Sequence, residues 1–385
     1  MPRIIIIGAG IGGLTAGVAL RRAGFDVAIF EQAQMLHEVG AGLSLSQAAF
    51  SVYRALGLAA EIEAAASMTA GMAFLHFQSG ALLAGQLDLG QGSGDPASPL
   101  AARQLHRADL QTILVTGFLR EGGVLRLGHR LIGIEPEPDR ATAIFNQGET
   151  ASGDLIIGAD GVKSQLRALL WGDQPARFTQ QVAYRFLVPI ETARPVLRFG
   201  RSAVFQGPGK VFNRYTIRQG ALLNCVGIVK TDQWLDDGWS IAAGRDEMLS
   251  AYQGWHPEVT ALIERGERMI KWGLFDRPPL PRWREGRVTL LGDAAHPMLP
   301  FLGLGAAMAI EDAMILTRAL RESADIGTAL DRYEAARQPR AALVQSQAAR
   351  QGDLVQSRDP DRFDASSAPS HDPAFYAYDP VCAPL

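Results

Sequence analysis

Cysteine is almost missing from this chain: Cys225 and Cys382 are the only two in 385 residues. They supply neither a disulfide framework nor metal-ligand spacing, which fits a reducing cytoplasm and leaves no metal site to expect. There is no surplus of charge of either sign. Lysine plus arginine (37) nearly balances aspartate plus glutamate (40), for a net charge of −3. That balance gives no basic footprint for nucleic acid or an anionic membrane surface. A membrane-spanning run is missing too. The apolar stretch between Arg3 and Arg21 imitates a signal peptide or anchor, but it is short of the roughly 20 residues that cross a bilayer. It also carries Gly8, Gly10, Gly12, Gly13 and Gly17, which a nucleotide-binding turn explains better. No internal repeat is present. With 47% hydrophobic and 20% charged residues, the chain is globular rather than disordered. At roughly 150 residues per domain, its length suits two or three domains.

The N-terminus reads as strand, turn, helix, strand. Ile4 to Ile7 form the β-branched run of a strand buried on both faces of a parallel sheet. Gly8-Ala9-Gly10-Ile11-Gly12-Gly13 follows, with glycines where the chain turns tightly, a pyrophosphate approaches the backbone, and helix packs on strand. Leu14, Val18, Ala19 and Leu20 supply the apolar face of a helix that Gly24 stops, and Val27 to Phe30 make the next strand. Glu31 ends it, eighteen residues after Gly13 and close to the roughly 20 expected of the acid that binds an adenosine ribose. An acid there selects FAD or NAD over a 2′-phosphorylated nucleotide.

Two later segments repeat the plan. Asp154 to Gly158 reads as a short buried strand leading to the Asp160-Gly161 turn, with Ser164 and Arg167 in the helix start beyond it. Arg287 to Leu291 reads as another strand, ending at Gly292-Asp293 and running through His296, Pro297, Pro300, Gly303, Gly305 and Ala306 into a helix. A helix N-terminus preceded by glycines attracts anions, and a reduced flavin ring is one. Asp293 is placed to accept from a ribityl hydroxyl, or else to cap a turn.

In this order the three motifs resemble the single-component FAD-dependent aromatic hydroxylases, and the likeness covers nearly the whole chain. By that resemblance Gly8, Gly10, Gly12, Gly13, Glu31 and Gln32 hold the adenosine end of FAD. Asp160-Gly161 matches the motif shared between FAD and the nicotinamide cofactor, and Gly292-Asp293 with Pro300, Gly303, Gly305 and Ala306 the ribityl and ring region. Gly42-Leu43, within Val39-Gly40-Ala41-Gly42-Leu43, and Arg107, the start of an Arg-x-x-Leu helix, complete the cofactor set. Ala183-Tyr184-Arg185, Gly254-Trp-His256-Pro257 and the aromatic tail at Phe375, Tyr376 and Tyr378 are most similar to the salicylate and 6-hydroxynicotinate hydroxylase branch. Gln47-Ala48 and Ala307 depart from that branch, and Gly207 to Arg218 contains no histidine, so the substrate is not carried over.

The resemblance implies a Rossmann-like α/β FAD domain built from residues 1–75, 100–180 and 270–345. A mostly antiparallel substrate sheet would come from 76–99 and 181–269, with 346–385 as a C-terminal helix and tail. A loop is expected over Gly85 to Pro99, and a hairpin from Phe212–Arg218 and Ala221–Val229 turning at Gln219-Gly220. The implied reaction passes hydride from NADH or NADPH to the flavin. Dioxygen adds at its C4a, and the hydroperoxide hydroxylates a small phenolic, benzoate-like or hydroxypyridine-like ring. Tyr184 and Tyr215 are candidates to bind or deprotonate a phenol, or are core tyrosines with satisfied hydroxyls. Arg185, Arg214 and Arg218 are candidates to clamp a carboxylate, and His296 is a candidate base. The enzyme is expected in the cytoplasm, as a monomer or homodimer, with no stable membrane insertion. The alternatives are a flavin oxidoreductase that inserts no oxygen and a catalytically silent flavin-binding protein.

Overall fold

Ile4, Ile5, Ile6 and Ile7 are at most 4% exposed, because their strand, Arg3–Ile7, lies inside a six-stranded sheet. The computed structural model describes residues 1–36, 42–69, 72–85, 102–172, 176–232, 241–364, 368 and 376–385. Val39 to Ala41, residues 86–99 of the loop expected over Gly85 to Pro99, and Ser366, Ser367, Pro369 and Phe375 lie outside the described residues, while Gly85 itself ends the strand Leu82–Gly85. The strand order is Arg284–Glu285, Val288–Leu290, Leu155–Gly158, Arg3–Ile7, Asp26–Glu31, Val124–Leu127. All neighbours are parallel except the first pair. Strands from three distant stretches of chain therefore end on one sheet edge, the place where open α/β sheets bind ligands.

A second sheet has eight strands, ordered Ile241–Ala242, Glu267–Asp276, Arg177–Pro189, Leu222–Lys230, Lys210–Ile217, Ser202–Gly207, Ala73–His76, Leu82–Gly85. Its pairs are antiparallel apart from Ser202–Gly207 with Ala73–His76. Helices Arg245–Ala251 and Pro257–Arg265 cover one face, where Phe186, Phe205, Phe212, Leu223 and Cys225 form a core with Met248, Val259 and Leu262. Side chains alternate across a strand, so Arg185, Tyr215 and Asn224 fall on the opposite face. The hairpin strands run Lys210–Ile217 and Leu222–Lys230. The left-handed residues at the tip begin at Arg218 (φ +51) and Gln219 (φ +54), one residue before the expected Gln219-Gly220.

Helices Gly305–Glu322 and Ile326–Val355 follow the last core strand. The tail then returns onto them: Tyr378 lies over the Arg340 guanidinium at 4.0 Å, and Arg318 donates to the carbonyls of Pro380 and Ala383. Among the described residues no helix is long and apolar enough to cross a membrane.

Candidate cofactor and substrate site

The glycine turn is built for a close backbone approach. Gly8 has φ +106, and a Cβ there would sit 2.4 Å from the carbonyl oxygen of Ala159. That packs the first turn directly against Asp160. At Gly13 a Cβ would meet the Gly8 oxygen at 2.1 Å, whereas at Gly10 it would meet nothing within 4 Å. Gly10 thus faces open space at the N-terminus of helix Ile11–Arg22, which no side chain caps. Unclaimed N–H groups and the positive dipole end favour an anion there. Glu31 is already oriented, accepting the N–H of Ala9 on Oε2 (2.8 Å) and that of Ala33 on Oε1 (2.9 Å). Gln32 beside it is exposed.

Asp160 accepts from the Ser164 hydroxyl (2.6 Å) and the Leu166 N–H (3.0 Å), which fixes the turn through Gly161. Burial pushes its carboxyl up, and those hydrogen bonds oppose the rise. Asp293 is open to water yet enclosed by protein on its other sides. That enclosure pushes its carboxyl up, while His296 and Arg107 pull it down. A Cβ on Gly305, the first residue of its helix, would lie 4.0 Å from Asp293 Oδ1. Arg107, Asp293 and the Gly305 helix start therefore share one crevice, the continuation of the edge that carries Gly8, Glu31 and Asp160. Gly303 (φ +66) and Pro300 are exposed, Ala306 is half-buried, and Leu43 packs partly on the core. These residues fit an extended dinucleotide with a ribityl chain: an acid at each end, an uncapped helix start between, and open space at Gly10.

The family described as FAD binding domain matches residues 2–348. The chain belongs to that family. It is 35% identical to a 3-amino-4-hydroxybenzoate 2-monooxygenase of Streptomyces platensis over 91% of this chain and 88% of that one. It is 34% identical to a 6-hydroxynicotinate 3-monooxygenase of Bordetella bronchiseptica over 89% and 90%. Among solved structures, Klebsiella pneumoniae HpxO complexed with FAD and uric acid superposes with a TM-score of 0.81, at 30% identity over 93% of this chain and 90% of that one. The chain is an FAD-dependent monooxygenase of this family, as the ordered motifs predict.

Beyond the cofactor crevice, the candidate substrate residues Arg185, Tyr215 and Asn224 lie on the face of the eight-stranded sheet opposite its covering helices. Gly42 donates its N–H to Asn224 Oδ1 (2.9 Å), and a Cβ on Gly42 would touch Tyr215 Oη at 2.9 Å. Tyr215 and Asn224 are cross-strand partners. Arg185 lies over Trp272 at 5.0 Å and acts on the Tyr215 phenol, which burial pushes up to about 12 against the pull of Arg185.

Two expected catalytic residues are elsewhere. Tyr184 faces the helix-covered side, where its hydroxyl donates to Glu247 Oε1 (2.7 Å); one residue along a strand reverses the face. His296 is 1% exposed and its Nε2 meets Asp312 Oδ2 at 2.6 Å. Asp312 also accepts from the N–H of Gly292 (2.9 Å) and from Arg337 Nε (2.7 Å). Burial alone would raise that carboxyl, but His296 and Arg337 hold it down to about 2. An ionised acceptor requires a proton on Nε2, so His296 locks the Gly292 turn rather than acting as a base. The expected carboxylate clamp shrinks in the same way. Arg214 is fully buried against Glu258 (2.7 Å), and Arg218 pairs with Asp109.

Asn224 and Gln111 carry no site expectation from the sequence, and Arg167 is expected only as part of a helix start. Asn224 has a buried Nδ2 with no partner, and its signal was a lone amide inside an apolar strand. Gln111 donates to the Ala9 carbonyl (3.1 Å) and braces the glycine turn. Arg167 is 2% exposed with Nε and Nη2 unpartnered, its pKa lowered to about 10 by burial and by Arg277 nearby.

Proposed function

We propose that the enzyme hydroxylates a small aromatic ring bearing a hydroxyl group, bound between the cofactor crevice and the sheet face that carries Tyr215, Asn224 and Arg185. The observation that carries this reading is the convergence of Gly42, Tyr215 and Asn224. It leaves the partnerless Nδ2 of Asn224 beside a phenol donor, where the eight-stranded sheet meets the strand Gly42–Leu45. Buried polar atoms without partners are rare, and a substrate's oxygen or ring nitrogen supplies the missing partner. The two relatives named above act, by their names, on a hydroxybenzoate and a hydroxypyridine carboxylate, which supports the same class here.

Bound FAD supplies the redox chemistry, accepting hydride from NADH or NADPH and activating dioxygen. The chain's own work is to orient and to exclude water. Tyr215 donates its hydroxyl hydrogen to the substrate oxygen, since a phenol held near 12 stays protonated. Arg185, held over Trp272, supplies the positive charge of that face and favours a substrate that carries or develops negative charge. Arg167, buried and donating to the carbonyls of Ala294 and Ala295, braces the turn that carries Asp293. Asp293 and the Gly305 helix start hold the ribityl and ring region, and the His296–Asp312–Arg337 cluster keeps that turn in place.

A panel of hydroxybenzoates, salicylates and hydroxypyridines tests the reading. At least one is expected to accelerate NAD(P)H oxidation, with oxygen uptake matched by hydroxylated product. FAD-loaded protein that oxidises NAD(P)H with the panel but hydroxylates nothing would favour an oxidoreductase without oxygen insertion. Protein that oxidises none would be a silent flavin binder.

A further inference from the structure

Arg218 and Gln219 form the tip of the hairpin between Lys210–Ile217 and Leu222–Lys230, and both adopt left-handed backbone (φ +51 and +54). Asparagine and glycine are favoured in such a tip, so an arginine and a glutamine there stand out. Within the hairpin the tip is closed by backbone hydrogen bonds, the Gly220 N–H donating to the Ile217 carbonyl and the Ala221 N–H to the Arg218 carbonyl, and its side chains reach beyond it. Arg218 donates from Nε and Nη2 to the two oxygens of Asp109 (2.8 and 2.7 Å), a bidentate pair. Gln219 donates to the Ala64 carbonyl, and Gly220 donates its N–H to Ser67 Oγ (3.0 Å). Four residues on, Asn224 accepts from Gly42. Every partner lies outside the eight-stranded sheet, on the cofactor side of the molecule. Asp109 sits in the first turn of the helix that begins at Arg107, the residue whose charge reaches Asp293.

We propose that the Arg218–Asp109 pair is a positioning pin that sets the separation between the substrate face and the cofactor crevice. This rests on the hydroxylase reading above. The pin joins the strand end carrying Tyr215 and Asn224 to the helix start carrying Arg107. Loosening it moves the substrate ring relative to the bound cofactor without removing any group that touches either. In the coupled reaction, the two electrons of NAD(P)H and one proton reduce dioxygen so that one oxygen atom enters the ring and the other leaves as water. With the ring misplaced, the same two electrons and proton, with the second hydrogen carried by NAD(P)H, leave as hydrogen peroxide and the aromatic compound is unchanged.

The test compares Arg218→Ala, Arg218→Lys and the unaltered enzyme, each loaded with FAD and given the best aromatic compound of the panel. A half-exposed ion pair adds little stability, so the melting temperature is expected to stay within a few degrees. The fraction of NAD(P)H electrons recovered as peroxide is expected to rise about threefold or more in Arg218→Ala and less in Arg218→Lys. A second readout needs no turnover: in FAD-free protein, amide exchange across 42–45 is expected to speed up in Arg218→Ala while 155–158 stays unchanged. An Arg218→Ala enzyme with unaltered peroxide yield and unaltered exchange at 42–45 overturns the pin. If the unaltered enzyme hydroxylates nothing, the hydroxylase reading falls, and the exchange result alone decides whether Arg218 orders the interface.

Discussion

The N–H of Ala9 points at the carboxylate of Glu31 across 2.8 Å, so the acid ending one strand is fastened to the glycine turn ending its neighbour. Under the proposed reading, in which Glu31 meets the adenosine ribose, its carboxylate is already held in place, which reduces the ordering cost of binding. Glu31→Gln keeps an acceptor but loses the charge. A hydrogen bond to a charged group contributes about 1.5–3 kcal/mol. FAD affinity is therefore expected to fall roughly ten- to hundredfold with the fold intact, as measured by the fluorescence of released flavin.

Tyr215 is protonated throughout the physiological range, because burial pushes its phenol up to about 12. Tyr215→Phe is expected to lower kcat/KM for the aromatic substrate by about tenfold, the loss of one buried hydrogen bond. The shape of the pH–rate profile between pH 6 and 9 is expected to stay the same. Disappearance of a basic limb in that variant would instead make Tyr215 the base.

Asp312 links acid stability to the cofactor turn. Its folded pKa, about 2, is below the unfolded value, so its contribution is present above about pH 4 and lost as pH falls through 2. The difference amounts to about 2 kcal/mol. Urea midpoints measured between pH 2 and 6 are expected to fall in step with it. Asp312→Asn is expected to flatten that dependence and to lower stability by about 3–5 kcal/mol, since Arg337 would keep a buried charge with one partner fewer.

Arg167 is 2% exposed and donates to the carbonyls of Ala294 and Ala295, so it is expected to brace the turn that carries Asp293. Arg167→Ala should lower the melting temperature and weaken FAD binding while shifting KM for NAD(P)H and for the aromatic substrate alike, as steady-state kinetics with each substrate varied would show. A rise in KM for NAD(P)H alone would instead place the arginine against the nicotinamide nucleotide.

Much of this arrangement is legible from residue order. Four consecutive isoleucines and the glycines at Gly8, Gly10 and Gly13 specify a strand and a tight turn through local sterics alone, with Glu31 ending the neighbouring strand beside that turn. Asp160 and Asp293 come to the same edge because each follows a short apolar run that becomes a parallel neighbour. The substrate face is less legible. Whether Tyr184 or Arg185 looks toward the cofactor depends on strand phase, and both sides of this sheet are covered, so no apolar–polar alternation marks the phase. The role of His296 depends on Asp312, sixteen residues later on another element. Arg218 resembles a substrate clamp until the fold shows Asp109 opposite it.

The claim that one crevice grips an entire FAD is tested most directly by titrating the cofactor-free chain with FAD and, separately, with FMN. FMN retains the ribityl and ring portion but lacks the adenosine held by Glu31 and the glycine turn. One equivalent of FAD is expected to bind, with FMN at least about tenfold weaker. Equal affinity for the two, or no saturable binding of FAD, would contradict the account.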